Sequence, residues 1–215
     1  MPVATFLDHG HSLEEAAEAI RLGASSVMFD GSALPYEENV RQTREIVRMA
    51  HAMGVAVEAE LGSIAGSAVE LGNAPPAPEA YFTDPALAAE FVRRTDVDVL
   101  AISFGNVHGP YRGEPRLDLE RVRAIHTLVE IPLAMHGGSG LADALYPSIV
   151  ASGISKLGYY TAMGMDAVAA LRHQLCQAEP ATLAYHHVIG AMVRYFRDEA
   201  KRVFALAGCV GKATP

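Results

Sequence analysis

Pro132-Leu133-Ala134-Met135-His136-Gly137-Gly138-Ser139-Gly140 is the stretch from which the fold can be read. A short apolar run ends in a histidine, and four small residues follow it. Physically, this is a buried strand that delivers an imidazole to its C-terminal end. The glycines behind it let backbone N–H groups approach a ligand with no Cβ in the way. Such a strand end can hold a metal beside an anion.

Two further strand ends share this character. Ala4-Thr5-Phe6-Leu7 runs into Asp8-His9-Gly10-His11, and the apolar run from Val99 to Gly105 leads into Asn106-Val107-His108-Gly109. His9, His108 and His136 each follow a strand and precede a glycine, so together they offer three nitrogen ligands with an open fourth position, the pattern of a catalytic zinc site.

Outward from these ends the chain alternates strands and helices. Strands are expected near 3–8, 25–29, 55–62, 99–105, 132–135 and 154–161. Between them, Ser12-Leu13-Glu14-Glu15 opens a helix as a capping box, and Asp84-Pro85 and Asp118 cap two others. Helices over 162–176 and about 181–206 close the chain. In the third strand Glu58 and Glu60 are two residues apart and face one side. Residues 63–83 form a long stretch rich in Ala, Gly, Ser and Pro, and a lid and an ordinary surface excursion are equal readings of it.

Strict alternation builds a parallel sheet, and polar residues gathered at the C-terminal ends of successive strands are what a TIM-type (β/α)8 barrel shows. A doubly wound sheet would instead concentrate its ligand at one switch point. Six strands are countable where a closed barrel has eight. The sheet is open, or another chain completes it, or the natural product begins earlier than Met1.

Bulk properties bound the function. With 215 residues, half of them hydrophobic, the chain supplies one sizeable core, and one domain is expected over residues 1–215. The net charge of −8 argues against nucleic acid or an anionic membrane as partner. With no apolar run of about 18 residues to span a bilayer, the expected location is the cytoplasm. Cys176 and Cys209 are expected in helices as small buried hydrophobes.

At these residues the chain strongly resembles the class II, zinc-dependent ketose-bisphosphate aldolases, such as the fructose- and tagatose-bisphosphate aldolases. The resemblance rests on Leu7-Asp8-His9-Gly10-His11-Ser12, Val27-Met28-Phe29-Asp30-Gly31-Ser32, Glu58-Ala59-Glu60-Leu61-Gly62, His108-Gly109-Pro110-Tyr111-Arg112-Gly113 and His136-Gly137-Gly138-Ser139-Gly140. It implies a TIM barrel represented by its third through eighth strand-helix units, the first two being absent. His9, His108 and His136 would be zinc ligands, with Asp30 and Glu60 as acidic groups near the metal and Asp8 as the proton-transfer residue. Gly109 would lie by the substrate or a monovalent cation, Na+ or K+. Gly137, Gly138 and Ser139, with Gly158, Tyr159, Tyr160 and Thr161, would hold the phosphate of dihydroxyacetone phosphate.

The implied activity is reversible retro-aldol cleavage of a phosphorylated ketose by a cytoplasmic homo-oligomer, a dimer or a tetramer. The alternative is a non-catalytic aldolase-like subunit that keeps the fold and the metal site. A third reading is a zinc hydrolase on a TIM barrel, and a fourth uses Lys156 as a covalent nucleophile. The chain departs from the family in having Gly158 where an Asn is usual and Tyr160 two positions on. Ala65-Gly66-Ser67-Ala68 replaces the glycine pair and acidic residues of the lid, leaving Glu70 as a stand-in for its glutamate.

Overall fold

The structure, a computed structural model, describes residues 3–64, 79–111, 113–177 and 183–212. Six strands, β1 (Phe6–Gly10), β2 (Ser26–Phe29), β3 (Ala56–Leu61), β4 (Val99–Ile102), β5 (Leu133–Met135) and β6 (Ile154–Leu157), lie in sequence order in one sheet. Every neighbouring pair is parallel. Among the described residues the order never reverses, so they hold no switch point of the doubly wound kind. The curled half-barrel is a TIM-type sheet that, among the described residues, leaves β1 and β6 as its edges.

The helices are α1 (Leu13–Arg21), α2 (Tyr36–Ala52), α3 (Pro85–Thr95), α4 (Leu119–Leu128), α5 (Tyr146–Ala151), α6 (Thr161–Gln177) and α7 (Tyr185–Leu206). The expected caps form. Ser12 Oγ accepts from Glu15 N at 3.1 Å, the Asp84 carboxylate accepts from Ala86 N and Leu87 N, and Asp118 accepts from Arg121 N. The Glu15 carboxylate receives the N–H of His11 at 2.7 Å, which ties the end of β1 to the start of α1.

Two apolar layers follow from strand alternation. Val27, Phe29, Val57, Leu100, Ile102, Leu133 and Met135 pack outward with Ile46, Phe91, Ile125 and Ile149 of the helices. The inner layer is small: Met28, Ala101 and Ala134, with Phe6 and Val99 against them. Alanines there leave room inside the curl for larger polar side chains at the strand ends. Among the described residues no helix is long and apolar enough to cross a membrane. Cys176 and Cys209 are exposed, and Cys209 lies beyond α7, which corrects the expectation of buried helical thiols. On α4 the buried positions are Val122 and Ile125, while His126 faces outward. The anticipated lid lies mostly outside the described residues, as do Ala65 to Ala68 and Glu70.

Candidate metal centre and active site

The strand ends converge as the alternation requires, with one local exception that matters. Phe6 and Asp8 share a face of β1, so His9 would point the other way. Instead β1 bulges: Leu7 pairs with Val27 and Gly10 with Phe29, three steps on one strand against two on the other. His9 takes up the turn with φ of 50°, a left-handed conformation that histidine tolerates better than most residues. The bulge aims both Asp8 and His9 into the curl. His108 arrives on the loop after β4, and His136 directly follows β5.

The three imidazoles meet. Ring centroids are 4.4 Å apart for His9 and His136, 4.8 Å for His9 and His108, and 5.6 Å for His108 and His136. His9 Nε2 lies 3.1 Å from His136 Nδ1. Two nitrogens on one tetrahedral zinc, each about 2.0–2.1 Å from the ion, would stand about 3.3 Å apart. The far sides of the His9 and His136 rings are each taken by a carboxylate. His9 Nδ1 donates to Asp30 Oδ2 at 2.8 Å, and His136 Nε2 donates to Glu58 Oε1 at 2.8 Å. With both ring protons fixed there, the lone pairs of His9 Nε2 and His136 Nδ1 face each other. Such a facing pair is satisfied by a shared proton, which the carboxylates around His9 favour by raising its pKa against the opposing effect of burial, or by a metal cation, which gives the carboxylate–histidine arrangement of metal sites. The donor set therefore fits a zinc-type ion.

The acidic groups divide into two kinds. Burial pushes Asp30 upward, but the His9 contact and two hydrogen bonds from Ser32 outweigh it and hold its carboxyl far below the ordinary range. Glu58 is likewise held below its ordinary value, because His136 and Lys156 overcome the desolvation. Glu60, two residues on, goes the other way. It is 1% exposed, its Oε2 has no hydrogen-bond partner, and burial together with the charges of Asp30 and Glu58 pushes its pKa well up. His9, Asp30 and Glu60 form a second cluster of metal-type donors that shares His9 with the histidine set. Asp8 completes the centre. Its side chain is 59% exposed, and Oδ1 stands 4.0 Å from His9 Nε2 and 3.9 Å from His136 Nδ1, on the solvent side of the ligand triangle.

Comparison with known proteins places this arrangement. The family model of class II fructose-bisphosphate aldolases matches residues 1–212. The chain belongs to the class II fructose-bisphosphate aldolase family. This is a family of lyases, typically metal-dependent. The chain is 37% identical over 217 residues to the uncharacterized protein YdjI of Escherichia coli K12, covering 99% of this chain and 73% of that protein. It is 41% identical over 177 residues to the fructose-bisphosphate aldolase of Geobacillus stearothermophilus, covering 82% of this chain and 60% of that enzyme. Among solved structures, the YdjI aldolase superposes with a TM-score of 0.84 at 36% identity, over 99% of this chain and 72% of that one. A putative fructose-1,6-bisphosphate aldolase from Coccidioides immitis gives a TM-score of 0.85 at 29% identity, over 98% and 73%.

Within the aldolase frame the glycine loop is a rigid part of the barrel. Tyr111 Oη donates to Gly137 O at 2.8 Å, Tyr146 Oη donates to Gly138 O at 2.7 Å, and Asn106 Nδ2 donates to His136 O at 3.0 Å. Gly138 N donates to Gly158 O, so that N–H is already engaged, and Ser139 Oγ accepts from Ala162 N in the first turn of α6. Gly158 sits against the centre: a Cβ there would lie 3.5 Å from His136 Nδ1, in ordinary contact. Gly109 is buried with φ of 87°, and Thr161 is buried at the start of α6.

Two expected substrate contacts are not brought in. Tyr159 turns outward, donating to Glu199 Oε1 and accepting from Arg202 Nη2, both at 2.9 Å, because α7 offers its hydroxyl an ion pair to join. Tyr160 is 63% exposed, with its ring beside Gly164 of α6. Conversely, Glu58 and Lys156 belong to the centre, where sequence reasoning assigns Glu58 no role and offers Lys156 only as a covalent nucleophile. Glu58 and Glu60 share one face, which was the available signal. Nothing local to Lys156 announces that it reaches β3, since that contact spans 98 residues.

Proposed function

We propose that this chain is a zinc-dependent aldolase that cleaves a phosphorylated ketose reversibly to dihydroxyacetone phosphate and an aldehyde. The observation that carries the reading is the pair of imidazole nitrogens facing each other at 3.1 Å with both far-side protons fixed by carboxylates. His9, His108 and His136 would hold the ion, leaving a coordination position open toward Asp8. A Na+ or K+ beside Gly109 would be a second cation. Bound there, zinc supplies a Lewis acid that stabilises the negative charge developing on a ketose oxygen next to the bond being broken. Asp8 accepts the proton of the hydroxyl β to the ketone carbonyl as the carbon–carbon bond opens, the carbon left behind takes a proton from solvent water to give dihydroxyacetone phosphate, and both transfers reverse in the condensation direction. Its exposed carboxylate, within 4.0 Å of His9 Nε2 and 3.9 Å of His136 Nδ1, is open to such a hydroxyl. The pinned glycine loop after β5 offers a pre-formed seat for the phosphate.

Lys156 does not serve as a Schiff-base nucleophile in this reading. Its ammonium is bound at 2.6 Å to a buried carboxylate. The proposed enzyme acts in the cytoplasm as a homo-oligomer. The test is solvent exchange of the dihydroxyacetone phosphate C–H proton, followed by NMR on zinc-loaded protein. Exchange by the wild type, with ketose-phosphate cleavage lost in Asp8→Ala while zinc stays bound, supports the proposal. Bound zinc with no exchange on any ketose phosphate refutes it, and points to an aldolase-like subunit that keeps the metal.

A further inference from the structure

Lys156 is the buried-face residue that the retro-aldol reading leaves unused. It lies on β6, an edge of the open sheet, and its side chain crosses the inside of the curl. Nζ donates to Glu58 Oε2 at 2.6 Å and stands 3.6 Å from the centroid of the Phe6 ring. Glu58 is on β3, in the middle of the sheet, and Phe6 is on β1, the other edge. The other oxygen of Glu58 accepts from His136 Nε2. A continuous line of contacts thus runs from Lys156 through Glu58 to His136, ending at the nitrogen that faces His9. A second contact reaches the strand that carries Asp8 and His9.

An ordinary surface ion pair would explain none of this. Exposed pairs contribute little, because each partner is content in water. Here the Glu58 side chain is 2% exposed while that of Lys156 is 36% exposed, so the buried partner depends on the cation. Without Lys156, Glu58 Oε2 would be buried with no partner. The carboxylate would then turn to reseat that oxygen, and its grip on the His136 ring would loosen. The Phe6 contact adds cation–π attraction and fixes where the ammonium rests.

Resting on the metal centre proposed above, we propose that Lys156 is a positioning residue: it clamps Glu58 so that His136 presents Nδ1 to the metal, and it braces the β6 edge against the strand bearing Asp8 and His9.

The experiment is Zn2+ affinity, measured by competition with a chromophoric chelator, alongside the visible spectrum of the Co2+ form. The proteins are wild type, Lys156→Met, Lys156→Arg and His136→Ala. Partners one shell beyond a metal ligand typically contribute 10–100-fold to affinity, so Lys156→Met is expected to weaken Zn2+ binding about tenfold. It should also alter the Co2+ absorption, while Lys156→Arg restores both. If Lys156→Met fails to fold by circular dichroism, Lys156→Gln and Phe6→Leu take its place, with the same direction expected. Wild-type affinity and spectrum in Lys156→Met, with His136→Ala unable to bind, would overturn the role of Lys156 and leave the centre standing. So would an arginine variant as weak as the methionine one. No Zn2+ binding by wild type, or undiminished binding by His136→Ala, would overturn the centre and this inference together.

Discussion

Gly137→Ala isolates the coupling between two metal-binding loops. Gly137 follows His136 with φ of 67°, and a Cβ built on it would lie 2.0 Å from Val107 O, 2.6 Å from Val107 C and 3.2 Å from His108 N. Real side chains essentially never approach below 3.0 Å, so the two loops must separate by about 1 Å. Neither is free to move: Asn106 holds His136 O, and the Tyr111 hydroxyl holds Gly137 O and Val107 N. The left-handed conformation costs an alanine about 1 kcal/mol, and the overlap about 1–3 kcal/mol more. For a domain of this size, a total of about 2–4 kcal/mol lowers Tm by roughly 4–16 °C. More telling is the displacement of His108. A metal site tolerates about 0.5 Å of error in a ligand, so a shift of about 1 Å should weaken zinc at least tenfold. Gly113→Ala is the matched control, with φ of 80° and nothing within 4 Å of the added Cβ. Differential scanning fluorimetry on chelated and zinc-loaded protein reads both effects. The reasoning fails if Gly137→Ala melts and binds zinc like Gly113→Ala.

Three further outcomes follow from the same geometry. Glu58→Gln keeps the shape of the side chain but removes the charge that sets the His136 ring, so zinc affinity should drop about 10–100-fold by chelator competition; unchanged affinity would detach Glu58 from the centre. Glu60 keeps its proton in the folded state well above the ordinary carboxylate range, whereas the unfolded chain releases it there. The unfolded state therefore binds fewer protons as pH rises, and metal-free protein should lose stability as pH climbs above the ordinary carboxylate range. Glu60→Gln should flatten that fall in urea titrations, and a parallel slope would refute the assignment. Tyr159→Phe removes a hydroxyl shared by Glu199 and Arg202 at the surface of the barrel. Stability should fall by about 1 kcal/mol with ketose-phosphate turnover unaltered, and a large loss of turnover would return Tyr159 to the substrate side.

How much was legible in the sequence depends on the range of the interaction that sets each feature. Alternation of strands and helices and the Ser12, Asp84 and Asp118 caps are local patterns, and they appear where periodicity put them. The orientation of Tyr159 was not local. The sequence Gly158-Tyr159-Tyr160-Thr161 sits at a strand end, which favours a site residue, but the partners that claim the hydroxyl lie 40 and 43 positions away on α7. The β1 bulge is intermediate. Asp8 and His9 are neighbours, and plain alternation cannot send both inward, so the requirement for an irregularity was implicit in assigning a role to each.

The same spacing argument accounts for the opposite states of Glu58 and Glu60. Both point into the curl from β3, and a single dielectric would treat them alike. Their partners differ because they lie at different depths along the strand. Glu58 is level with Val99 of β4 in register and is met by a ring nitrogen and an ammonium. Glu60 is one inward step nearer the strand end, level with Ala101, and faces the negative charge of Asp30 instead. One carboxyl is thereby kept ionised to orient an imidazole. The other is pushed toward its neutral form beside His9 and Asp30, in a cluster that a cation would complete. A step of two residues along one strand separates the group that holds a ligand from one that waits for positive charge.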